Sequence, residues 1–213
     1  MTLLCCVVLG CNMSNKCSKD QKISVGGFQE NWIYSNKEFG INMQLPLEWN
    51  MTTYLSHYSY SIPMNSKMPQ DLILKKTISI EDILKNKRES IPIFPIFLIS
   101  EKPLDVSLGT NKGASIAFCL TPSENQNEDE DIEQLFMTQN TKSGKTQKID
   151  LPFGKEEKLK AISVTFSTDN NTMTRITGIK NYGCYNLFVS VSCSTAQELE
   201  KVKEILSKIQ YTK

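Results

Sequence analysis

Histidine is almost absent from this chain: His57 stands alone among 213 residues. Any Ser-His or Cys-His nucleophile pair, and any imidazole metal ligand, would have to use that one side chain. Arginine is nearly as scarce. Arg88 and Arg175 are the only two among 24 basic residues, which limits bidentate clamps on phosphate or carboxylate to two. The seven cysteines contain no Cys-x-x-Cys pair, so no zinc knuckle or thioredoxin-type centre is legible. No apolar run reaches the roughly 20 residues that a membrane-spanning helix needs. Charge of one sign is lacking too: 24 basic against 23 acidic residues give +1, and no whole-molecule field favours nucleic acid. Neither a nucleic-acid partner nor a cofactor is expected.

What is present fits one folded domain with an appendage. A chain of 213 residues with 39% hydrophobic and 22% charged content can bury a core, and it is short for two ordinary domains. The clearest stretch is the last. In the run from Tyr182 to Cys193, Tyr185, Leu187, Val189, Val191 and Cys193 alternate with mostly polar residues, as one covered face of a strand would. Thr195-Ala-Gln-Glu198 then has the form of a capping box. Leu199, Val202, Ile205, Leu206 and Ile209 recur at helical spacing behind it, opposite a charged arc. An oily helix face is thus offered to a sheet.

At the other end, residues 1–11 are apolar up to Cys11 and polar after it. Val8-Leu9-Gly10-Cys11 resembles the bacterial lipobox. That resemblance implies a lipoprotein signal peptide over 1–10, diacylation of Cys11, and attachment to the cell membrane or outer membrane outside the cytoplasm. Residues 11–27 are polar and lack either period, and read as a flexible tether from the lipidated Cys11. A single α/β domain is expected over 28–213. Four of the seven cysteines fall in the first 17 residues. Cys119, Cys184 and Cys193 remain for the domain, as one disulfide with a spare thiol or as three small buried side chains.

Phe39, Ile41, Met43 and Leu45 alternate with Gly40, Asn42, Gln44 and Pro46, a half-buried strand stopped by proline. The motif Phe39-Gly-Ile-x-x-x-Leu-Pro-x-x-Trp49, joined to the terminal strand and helix, resembles the PsbP-like and Mog1-like fold and the DcrB family of bacterial lipoproteins. The resemblance covers about a third of the chain. It implies an α+β class, a central antiparallel sheet flanked by helices as an α/β/α sandwich, with a binding or accessory role. It carries over no site residues.

Between the ends the pattern predicts a helix over 79–89 behind Ser79, a strand in the second half of 91–99, and a strand over 113–120. It predicts a helix from Ile132 to Thr138 after the acidic run at 124–131, and strands over 160–168 and 172–180 joined by turns.

Candidate chemistry is sparse. Ser143-Gly-Lys-Thr146 copies the end of a P-loop, but Gln139 stands where the loop needs glycine. Asn127, Asp129 and Asp131 have EF-hand spacing, with Ile132 where glycine belongs and Thr138 where glutamate belongs. Trp49, Tyr54, Tyr58 and Tyr60, with His57 among them, could form an aromatic face that stacks on a sugar or peptide, or could fill a core layer. The expectation is a membrane-anchored, non-catalytic binding or accessory module with an unknown envelope protein partner. The alternatives are an extracytoplasmic hydrolase of envelope polymers and an immunity-type lipoprotein.

Overall fold

A computed structural model describes residues 17–53, 61–69, 72, 77–85, 87–88, 91–103, 113–123, 127–140, 145–168 and 171–211. The chain begins with short strands: β1 (Lys22–Ser24), β2 (Gly27–Gln29), β3 (Ile33–Asn36), β4 (Ile41–Gln44), β5 (Asn50–Thr53) and β6 (Ser61–Pro63). β7 (Thr77–Ser79) runs straight into α1 (Ile80–Lys85), followed by β8 (Lys87–Arg88) and β9 (Ile91–Pro92). β10 (Phe94–Ser100) and β11 (Ser115–Pro122) lead to α2 (Glu128–Asn140). A meander follows, of β12 (Lys145–Pro152), β13 (Lys158–Thr168), β14 (Asn171–Tyr182) and β15 (Tyr185–Cys193); α3 (Ala196–Ser207) and β16 (Gln210–Tyr211) close the chain.

Eight strands form one antiparallel sheet in the order β12-β13-β14-β15-β11-β10-β5-β6, and four form a second in the order β16-β4-β3-β2. The register lines up Ala161, Gly178, Val189, Phe118 and Phe97 across the inner face of the large sheet. The small sheet lies on that face. Its Phe28 and Tyr34 meet Phe97 at ring-centroid distances of 5.4 and 4.7 Å, and Phe97 stacks on Phe118 at 4.7 Å. Alternating strand side chains from two sheets make this core, as in sheet-on-sheet packing.

The expected α/β/α sandwich is therefore wrong. Strand makes up 52% of the described residues and helix 19%, and the inner face is covered mainly by a second sheet. α3 seals one flank against β12 and β15, while α2 lies on the outer face over β12 to β14, where Ile132 meets Ile162, Val164 and Ile179. The error has a physical source. Strands of three or four residues, such as β1 to β3, are too short to display a two-residue period, so Val25, Phe28 and Tyr34 look like isolated apolar residues although all are buried.

The tether expected over 11–27 is folded from Cys17 onward. Cys17 is disulfide-bonded to Cys184, β1 pairs with β7, and Val25 is fully buried. Gly26 has φ +78°, and a Cβ there would lie 2.6 Å from the Ser35 carbonyl oxygen, so only glycine fits this turn. The disulfide also joins one of the leading cysteines to the domain, a pairing outside the two expected arrangements; Cys119 and Cys193 are buried free thiols.

Other local expectations hold or shift. Thr195 and Glu198 make the reciprocal capping box, with Val202, Leu206 and Ile209 buried beneath α3. α1 stops at Lys85, short of the expected Glu89. α2 starts at Glu128, four residues early, because carboxylates in a first turn are favoured by the helix dipole. Ile162 and Val164 face α2, and Leu159 and Ala161 take the main core.

Candidate functional site

Three residues, Glu30 to Trp32, link β2 to β3, whose Gln29 and Ile33 pair directly. Closing so tight a link puts two consecutive non-glycine residues in the left-handed region, Asn31 at φ 66° and Trp32 at φ 61°. Asparagine tolerates this conformation; a bulky aromatic residue there is an outlier that persists only when its surroundings hold it. The surroundings do so. Trp32 is 3% exposed, and its ring N–H donates to the Ser66 carbonyl at 3.1 Å. Its own carbonyl accepts the Leu45 N–H at 3.0 Å, and the Gln44 side-chain amide donates to the Asn31 carbonyl at 2.8 Å.

This held loop forms one wall of a groove of about 880 Å³, and residues 64–68 after β6 form the other. Trp32, Leu45 and Met64 are its buried floor, and Leu47 projects half exposed at its rim. Glu30 and Lys67 bring one charge of each sign. The Ser66 hydroxyl is already engaged with the Pro63 carbonyl at 2.6 Å. The groove offers apolar contact, amide hydrogen bonds and a single pair of opposite charges, a set suited to holding a ligand in one orientation.

Of the residues singled out in the sequence, Trp49 takes a core position beside this groove, 3% exposed, and its carbonyl accepts the Met64 N–H at 3.0 Å. Tyr54, His57, Tyr58, Tyr60 and Cys11 lie outside the described residues. Asn127, Asp129 and Asp131 do not converge on one point. The Asn127 side chain accepts from the Asp129 N–H, Asp129 pairs with Lys160, and Asp131 accepts from the Asn186 side-chain amide at 2.6 Å. Among the described residues no group of three or more His, Cys, Asp or Glu side chains is arranged to hold a metal ion. Lys145 and Thr146 open a strand, where a P-loop would need a helix.

Two tyrosines held above their ordinary values sit elsewhere, near the Cys184 end. Burial first, and then Glu157 and Glu128, push the Tyr182 hydroxyl up; its oxygen is buried without a hydrogen-bond partner and its ring packs on Phe39 at 4.5 Å. Burial likewise raises Tyr185 to about 12. These tyrosines close the core. The Trp32 loop went unread in the sequence; the one available signal was Asn31, a residue type that tolerates φ > 0, within a short break between apolar residues. Comparison with protein-family models and with curated proteins finds no match.

Proposed function

We propose that the chain is a lipid-anchored bacterial envelope lipoprotein, held through Cys11 outside the cytoplasmic membrane, whose domain is a non-catalytic binding or accessory module that uses the Trp32 groove. The observation that carries this reading is the Cys17–Cys184 disulfide. Such bonds persist in oxidising compartments, and this one lies six residues beyond the lipobox-like cysteine. The groove supports binding through its apolar floor and amide rim. The reading needs neither the family resemblance of the Phe39 to Trp49 segment nor the layer order it implied.

Anchoring is tested by processing of the full chain with and without globomycin, beside a Cys11→Ser variant. The expected result is an unprocessed precursor in both. Unchanged processing in both would contradict it. For binding, a Leu47→Asp variant should lose partners that the wild-type domain retains from an envelope extract; equal retention would remove the groove from the proposal.

A further inference from the structure

The disulfide constrains more than the fold. It ties the chain at Cys17, six residues after Cys11, and six residue steps reach at most about 21 Å. If lipid holds Cys11, Cys17 lies within that distance of the bilayer surface, and Cys184 at most 5.6 Å beyond it. Cys184 sits at one end of the large sheet: its carbonyl accepts the Ser123 N–H at 2.9 Å, and Tyr185 beside it pairs with Pro122 and Tyr182. The opposite end is marked by the row Arg175, Ser192, Ser115, Ser100, Asn50 and Pro63. One residue beyond that row come Trp49 and Met64, and Met64 is part of the groove floor. From Tyr185 to Ser192 a strand advances about 23 Å.

We infer that the Cys17–Cys184 disulfide turns the β14–β15 turn toward the bilayer and holds the Trp32 groove at the far end of the domain, facing away from lipid. The inference rests on the proposed anchoring through Cys11. The disulfide end carries Lys19, Lys22 and Lys180 together with Asp20, Glu81, Asp82, Glu128 and Glu157, so no basic patch draws it to lipid and the short tie sets the orientation. Without the disulfide the next fixed point is Lys22 in β1, and the reach from Cys11 grows to about 38 Å. The groove is thereby turned away from the acyl chains of the membrane.

Paramagnetic broadening tests this on the full lipidated chain in nanodiscs that carry a gadolinium headgroup lipid. The expected result is loss of the amide signals of Asp20 and Gly183 with those of Asn65 and Lys67 retained. In the Cys17→Ser/Cys184→Ser variant, the Gly183 signal should return. Loss at Lys67 with retention at Gly183, or equal loss at both, overturns the orientation while leaving the anchor standing. A chain that does not stay with the nanodisc overturns the anchoring and the orientation together. If the double variant does not fold, the comparison of Gly183 with Lys67 in the wild-type chain still decides.

Discussion

Cys17 and Cys184 are 167 residues apart in sequence and 5.6 Å apart between Cα atoms, and the bond between them fastens the leading segment to the turn before β15. Few single links close so much of a chain. On the chain-entropy model a loop of this length restricts the unfolded state by about 5 kcal/mol. The Cys17→Ser/Cys184→Ser variant should lose about 4–5 kcal/mol in urea unfolding. A loss of about 1 kcal/mol or less would mean that β1 and Val25 hold the segment without the bond.

Backbone strain at the Trp32 loop gives a second expectation. Asn31 is exposed and its carbonyl bond to Gln44 survives any side-chain change. Asn31→Gly should be neutral or stabilising, and Asn31→Val should cost about 1–2 kcal/mol because a β-branched residue resists φ > 0. Trp32→Ala should cost about 3–5 kcal/mol, the range for a buried aromatic residue. Thermal unfolding of the three variants separates strain from burial; equal losses for Asn31→Gly and Asn31→Val would contradict the left-handed assignment.

The two free thiols give a pH dependence. Burial pushes Cys119 up to about 12, and burial together with Glu198 raises Cys193. A raised folded-state value means that the neutral thiol contributes stability fully present below the unfolded pKa of about 8.5 and lost as pH rises beyond it. Stability should fall from about pH 8.5 to 10, before unfolded-state tyrosines titrate, and Cys119→Ala/Cys193→Ala should flatten that part of the curve. In the chain from Cys17 onward, neither thiol should react with an alkylating reagent at pH 8 in the native state, and both should react on unfolding without reductant.

The residues that sequence reasoning placed well are those whose pattern is long enough to repeat. α3 shows two turns of apolar spacing behind Thr195 and Glu198, and β15 shows five alternations, so both were legible. β1, β2 and β3 were not, because each is too short to repeat a period, and β1 owes its strand to a partner distant in sequence: Ile23 pairs with Ile78. The groove was invisible for the same reason. Its two walls, Glu30 to Trp32 and residues 64–68, meet only through tertiary contacts such as Trp32 with Ser66.

The capping box supplies a local control. Thr195 accepts the Glu198 N–H at 3.1 Å, while the Glu198 carboxylate accepts the Ser194 and Thr195 N–H groups. Thr195→Ala should cost about 1 kcal/mol, as loss of an N-cap does. A negligible change in the unfolding midpoint would show that packing of Val202 and Leu206 alone fixes the helix start.

The most direct measurement is a non-reducing peptide map, by mass spectrometry, of the mature chain recovered from a bacterial envelope. The expected result is an amino-terminal peptide that begins at diacylated Cys11 and is joined through Cys17 to the peptide containing Cys184. An unmodified Cys11 with free thiols at Cys17 and Cys184 would contradict both the anchor and the clasp.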